Sequence, residues 1–259
     1  MILKSFNPST GSGHSPSPPG NAGLGVNKTS QEDLLPCDNI QAILEAIFAR
    51  LFEHFGPQHW WPAETAFEVV VGAILTQNTS WTNVERAIKA LKRADMLSID
   101  GIYHCNEDKL SELIKPSGFF RRKAKRLKHF VDYIVNQWNG SLEAFLSQPM
   151  EALRSQLLEL NGIGPETADS IILYAAGQPS FVVDRYTHRV MFRHGYVPEQ
   201  YCYEELKQLF MNNLPHDIGL FQEYHALFVR LGKEYCTSKP RCQGCPLNNG
   251  HSFIRKEQA

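Results

Sequence analysis

An all-α fold is predicted for this chain on three observations. Apolar residues recur at three- and four-residue spacing from Ile40 onward, signals of period-two alternation are scarce, and a glycine-hinged turn joins two of the apolar stripes. Ile40, Ile43, Leu44, Ile47, Phe48, Leu51, Phe52 and Phe55 form the first core-facing stripe. A second helix carries Phe67, Val70, Val71, Ile74 and Leu75. Its Val69-Val70-Val71 run mimics a strand, but the longer period favours helix. Val84, Ala87, Ile88 and Leu91 mark a third helix, and Ala124, Leu127, Val131 and Ile134 a fourth. Leu153 and Leu157, then Ala168, Ile171, Ile172 and Ala175, form the two arms of a hairpin that Gly177 ends. Two further helices follow, one with Leu206, Leu209 and Phe210, the other with Phe221, Tyr224, Leu227, Phe228 and Leu231. Phe181-Val182-Val183 is the best strand signal, and it is too short to pair.

The chain has 259 residues, enough for one large domain or two small ones. Hydrophobic residues at 42% and charged residues at 20% describe an ordinary globular protein, and no segment reaches the roughly 18 consecutive apolar residues of a membrane span. Met1-Ile2-Leu3-Lys4 carries no secretory apolar core, so a cytoplasmic location is expected. The formal net charge of −1 leaves any polyanion binding to local charge. Residues 1–35 are rich in Ser, Gly, Pro and Asn and are expected to be a disordered tail, because they lack the apolar surface to offset chain entropy.

The most informative stretch is Leu160-Asn161-Gly162-Ile163-Gly164-Pro165-Glu166-Thr167-Ala168. It reads as a helix end, a tight Gly-x-Gly turn, and a second helix opening on Pro165. Glycine permits positive φ and close backbone approach, and proline suits the first helical position. The free amides of such a turn, with the positive end of the next helix, suit a phosphate oxygen. Eighteen residues after Glu166 stands Asp184, at the start of the helix Arg185-Tyr186-Thr187-His188. Helix capping alone would account for an Asp there.

Trp60-Trp61-Pro62 lies between the first two helices, and Trp81 is expected in the linker after the second. Tryptophan is commonly core, but two adjacent ones in a loop are hard to bury together. In the basic segment from Lys115 to Lys128, Arg121, Lys125 and Lys128 share one helical face beside the Gly118 turn, which suits either a solvated face or a phosphate track. Of six cysteines, Cys37, Cys105 and Cys202 are scattered and read as buried small hydrophobes. Cys236, Cys242 and Cys245 crowd together, which in a reducing compartment suggests metal more than disulfide. His225 shows no ligand spacing and is assigned, with six other histidines, to surface or core.

Together these motifs resemble the helix-hairpin-helix DNA repair glycosylases of the endonuclease III superfamily. Trp-Trp-Pro, the Leu-Thr-Gln-Asn-Thr helix end, Lys-Pro-Ser-Gly-Phe, Gly-Ile-Gly-x-Glu-Thr-Ala-Asp and Val-Val-Asp-x-Tyr-Thr look most like its 3-methyladenine DNA glycosylase branch, over roughly residues 40 to 235. The likeness implies a catalytic cleft between two helical lobes, residues 64–180 in one and residues 36–63 with 181–259 in the other. It implies a base-excision-repair enzyme acting as a monomer on double-stranded DNA that carries a damaged base. Asp184 would stabilise the oxocarbenium-like sugar and activate or orient water. Trp60, Trp61, Pro62 and Trp81 would hold the extruded base by stacking, and a cationic alkylated purine suits indole faces. Gln77 would fill the gap left in the duplex. Gly162, Ile163, Gly164 and Thr167 would grip the strand, with Arg121, Lys125 and Lys128 as a phosphate track.

Bifunctional members carry Lys where this chain has Glu166. A carboxylate forms no imine, so monofunctional hydrolysis is expected. An endonuclease III-like glycosylase and lyase acting on oxidised pyrimidines or abasic sites, and a non-catalytic lesion binder, are the alternatives. The cysteine spacing resembles the [4Fe–4S] loop of endonuclease III, with a first interval of five instead of six and His251 at the fourth ligand position. Three Cys and one His also suit structural zinc, and a loop without metal is the third option.

Overall fold

The computed structural model describes residues 40–248, and among them every regular element is helical. The tail and His251 lie outside the described residues. The helices are α1 (Ile40–Phe55), α2 (Ala66–Thr76), α3 (Trp81–Arg93), α4 (Ile99–His104), α5 (Glu107–Leu113), α6 (Phe120–Trp138), α7 (Leu142–Leu146), α8 (Met150–Glu159), α9 (Pro165–Ser170), α10 (Arg185–Arg193), α11 (Tyr203–Asn213) and α12 (Ile218–Glu234). A 3₁₀ turn at Lys115–Ser117 precedes α6, and α9 runs on as a π-helical segment, Ile171–Ala175.

Local chemistry sets most boundaries. Thr65, Ser98, Asn106, Ser141 and Asp217 each cap a helix by accepting a backbone amide of its first turn. Trp81 does not fall in a linker as expected. Ser80 stands at the N-cap position, so Trp81 is the first residue of α3. The short helices α4, α5 and α7 escaped the periodicity reading, because five to seven residues hold too few apolar positions to show a period.

The chain builds two hydrophobic cores. The first gathers buried residues from Phe67 to Ile172, with α2 at its centre; Phe67 through Leu75 are all buried, and Phe67, Val70, Val71, Ala73, Ile74 and Leu75 join this core. An element enclosed on every side presents a continuous apolar run, which explains the strand-like valines. The second core joins Leu44, Ile47 and Leu51 of α1 to residues between Leu173 and Leu247, around α12. The change of core therefore falls inside the π-helical segment. After it the extended, buried Phe181-Val182-Val183 leads to Asp184, with Phe181 stacked on Phe210 at 4.0 Å. Cys105 is buried as expected, but Cys202 is exposed, because it occupies the N-cap position of α11, where the helix meets solvent.

Candidate active site

The hairpin turn is shaped by its two glycines in different ways. Gly162 adopts φ +87, and a Cβ there would meet the Arg126 side chain. Both the backbone and its neighbour therefore demand glycine. Gly164 is extended, and a Cβ there would meet nothing within 4 Å. The fold itself does not require glycine at that position, and the space beside its backbone is open. Its amide has no acceptor among the described residues. Ile163 is buried and anchors the turn to the first core. Pro165 opens α9 as expected.

Gln77, at the C-terminus of α2, reaches this turn. Its Nε2 donates to Gly162 O and to Thr167 Oγ1, both at 3.0 Å, while Arg126 donates to its Oε1. Arg126 was not singled out in the sequence, because it sits among several equivalent cations. The structure separates that basic run by role. Lys123 is buried and donates to Leu75 O (2.8 Å) and Ser117 O (2.7 Å), and burial lowers its pKa to about 8. Lys128 donates to Ile102 O and Tyr103 O at the end of α4. Arg121 and Lys125 remain exposed.

Asp184 is buried at the N-cap of α10. One oxygen, Oδ1, accepts the amides of Tyr186 (2.9 Å) and Thr187 (2.7 Å) and the Thr187 hydroxyl (3.0 Å). Capping accounts for that oxygen alone. Oδ2 accepts no hydrogen bond among the described residues, and the nearest cationic or ring nitrogen is His225 Nε2, at 3.9 Å. A serine or asparagine would cap as well. A buried carboxylate is costly without a full set of donors, so the free oxygen calls for a use beyond capping.

Glu166, in the first turn of α9, shares this region. Crowding around its carboxyl, then the nearby charge of Asp184, push its pKa up to about 7, against the opposing effect of Arg185.

The three tryptophans come together. Ring centroids lie 5.3 Å apart for Trp60 and Trp61, 4.6 Å for Trp60 and Trp81, and 5.2 Å for Trp61 and Trp81, the last two edge to face. Trp61 lies against α2 at Gly72, where any Cβ would press on its indole. Trp81 Nε1 donates to Glu85. Pro62 is exposed beside them. An open hollow is lined by Trp60, Trp61, Thr65, Val69, Tyr174 and Gln222; Asp184 lies outside that lining. Tyr174 makes the connection, with its ring 5.1 Å from Trp61 and its hydroxyl 2.8 Å from His225 Nδ1. Sequence reading missed Tyr174 and His225. Both occupy helical positions that look like ordinary core.

Cys236, Cys242 and Cys245 line one narrow cavity with Arg193, Tyr235 and Leu247. Burial raises the Cys245 thiol pKa, and the nearby Cys236 and Cys242 sulfurs raise it further. Arg193 donates to Cys236 Sγ at 3.6 Å and to Thr237 O at 2.5 Å. Among the described residues no three His, Cys, Asp or Glu side chains converge closely enough to hold a single metal ion. Three sulfurs on one cavity beside a buried guanidinium fit a polynuclear cluster better than one zinc ion.

The Gly164 amide and Asp184 Oδ2 are each left without a hydrogen-bonding partner among the described residues. The family described as HhH-GPD superfamily base excision DNA repair protein matches residues 71–216. A protein of Methanocaldococcus jannaschii named as a candidate DNA repair glycosylase is 49% identical over 211 residues, covering 81% of this chain and 96% of its own. Endonuclease III of Thermotoga maritima is 28% identical, over 73% of this chain and 84% of its own. The chain thus belongs to the HhH-GPD superfamily and is a DNA glycosylase. In structure it is similar to the Helicobacter pylori 3-methyladenine DNA glycosylase bound to 1,N6-ethenoadenine, with a TM-score of 0.65 and 29% identity over 75% of this chain and 97% of that one. A trapped endonuclease III–DNA covalent intermediate shares the fold, with a TM-score of 0.69 and 20% identity over 80% and 93% of the two chains. No described helix is long and apolar enough to cross a membrane.

Proposed function

We propose that this protein is a monofunctional glycosylase that hydrolyses the N-glycosidic bond of an alkylated purine, such as 3-methyladenine, in double-stranded DNA and leaves an abasic site. The observation that carries this reading is the free Oδ2 of Asp184. Departure of the base leaves positive charge on the sugar. A carboxylate oxygen held in place and unblocked by its own helix stabilises that charge and orients the attacking water. A base already carrying positive charge leaves readily, so recognition by aromatic faces and one carboxylate suffices.

Glu166 supports hydrolysis without strand cleavage, since a carboxyl cannot attack the sugar to form an imine. The amine with the most depressed pKa, Lys123, is buried and held by two carbonyls, so it does not replace the missing lysine. The unengaged amide of Gly164, at the start of α9, with Ile163 as anchor and Thr167 fixing Gln77, suits a phosphate. Arg121 and Lys125 extend the positive track. Lys128, engaged with α4, contributes through the fold. Filling the vacated space in the duplex requires Gln77 to leave Gly162 O and Thr167 Oγ1. In the C-terminal loop Cys236, Cys242 and Cys245 would hold three corners of a [4Fe–4S] cluster, which would brace the loop that Arg189 and Arg193 tie to α10.

Incubating the protein with dimethyl-sulfate-treated DNA and separating the released bases tests the substrate class; free 3-methyladenine is expected. Borohydride added during the reaction should capture no protein–DNA adduct. A covalent adduct would contradict monofunctional hydrolysis.

A further inference from the structure

The contacts behind Asp184 form a continuous path. Tyr174 stands in the π-helical segment, with its ring on Trp61 and its hydroxyl 2.8 Å from His225 Nδ1. The other nitrogen of His225, Nε2, faces Asp184 Oδ2 at 3.9 Å. His225 and Asp184 are each more than nine-tenths buried.

Donor counting selects one arrangement of protons. The Tyr174 hydroxyl has a single hydrogen and two acceptors in reach, His225 Nδ1 and Gln222 O at 3.2 Å. Gln222 O lies within α12, where the helical ladder already serves it. If the hydroxyl bonds Gln222 O, the imidazole must place its hydrogen on Nδ1 and turn a bare lone pair toward the carboxylate. If it bonds Nδ1, the hydrogen sits on Nε2 and points at Oδ2. Only the second leaves no lone pair opposed to a carboxylate in a buried site.

We propose that His225 is a positioning residue: held in its Nε2–H form by Tyr174, it fixes the direction of the free Asp184 oxygen, and Tyr174 ties that direction to the packing of Trp61. The inference rests on the catalytic reading of Asp184. At 3.9 Å the N–H guides without making a full hydrogen bond, so Oδ2 stays available for the sugar. A shift of under about 1 Å would close the contact. A base settling on the tryptophans bears on Trp61, hence on Tyr174 and the imidazole, and thereby reaches the carboxylate without touching it.

The charged and titratable groups around His225 are Asp184 from the α10 N-cap, Tyr174 from the π-helical segment and Lys233 within α12, with Glu223 acting on Tyr174. Burial lowers the imidazole pKa, Lys233 lowers it further, and Asp184 opposes both.

Two measurements test the proposal. Nitrogen-15 NMR of the imidazole in the intact protein should report the Nε2–H form, and D184N should move the His225 pKa lower by removing the opposing charge. Single-turnover release from dimethyl-sulfate-treated DNA should slow roughly tenfold to hundredfold in H225L. H225Q, whose amide can replace the Nε2–H, should restore most of the rate. Affinity for abasic-analogue DNA should stay unchanged in both. Y174F should slow release without weakening binding. An Nδ1–H form, a His225 titration unmoved by D184N, or equal losses in H225L and H225Q that track their melting temperatures would overturn it. Wild-type release by D184N would instead remove the catalytic reading of Asp184, and the inference with it. The NMR result separates the two failures, because it needs no turnover.

Discussion

Two buried aspartates only fifteen positions apart, Asp169 in α9 and Asp184 at the start of α10, have opposite surroundings. Asp169 is fully enclosed and both its oxygens are occupied. Oδ1 takes Arg154 Nε (2.9 Å), Lys207 (2.7 Å) and Ser180 (2.7 Å); Oδ2 takes Arg154 Nη2 (3.1 Å) and the Tyr203 hydroxyl (2.8 Å). Burial alone would raise its pKa, but Arg154 and Lys207 more than offset that and hold it below the usual carboxylate range. Such a group ties α8, α9 and α11 together and has no oxygen left for chemistry. Asp184 has one oxygen fully engaged and one open. The identity of the residue says little about its role; the count of donors around each oxygen says much more.

The comparison can be broken first at Asp169. D169A leaves Arg154 and Lys207 facing each other in the interior without their carboxylate, and a loss of about 3–5 kcal/mol in unfolding free energy is expected by denaturant titration. A loss below about 1 kcal/mol would show that the network is not what holds these helices. At the other region, W60A should weaken base capture by about 1–3 kcal/mol through lost stacking, read as slower release at subsaturating DNA with normal stability. The smallest expected effect concerns Glu166. Its folded-state pKa of about 7 stands above the ordinary carboxylate value, so its contribution to stability is fully present below the unfolded pKa and is lost as pH rises through 7. E166Q lacks that loss. Its melting temperature should therefore gain on wild type between pH 5 and pH 8, by only about one or two degrees because the side chain reaches solvent. A gap independent of pH would place the Glu166 titration elsewhere.

Much of the fold was legible because long amphipathic helices print their period on the sequence. α3, α6 and α12 carry stripes that match their buried faces, α1 does so except at Phe52, which is exposed, and the hairpin showed itself through Gly162, Gly164 and Pro165, whose backbone needs are local. The candidate site was legible where local demands and motif spacing coincided, as in the placement of Asp184 at the start of α10. His225 and Tyr174 were not, since they meet each other across 51 positions and reach Asp184 and Trp61 only through the fold, and each lies on a helix where aromatic residues are expected in the core. Lys123 and Lys128 were hidden by a run of like cations. Composition cannot tell an amine that closes a helix end from one that faces solvent. Cys202 shows the same limit in reverse, a residue type that is usually buried but here exposed by a helix cap.

The most direct test of the account is single-turnover base release by D184N on dimethyl-sulfate-treated DNA, measured beside its melting temperature and its affinity for abasic-analogue DNA. Asparagine keeps the cap on α10 but removes the charge from Oδ2. Release should fall by about 10²–10³-fold, with stability and binding close to wild type. Release at the wild-type rate would contradict it.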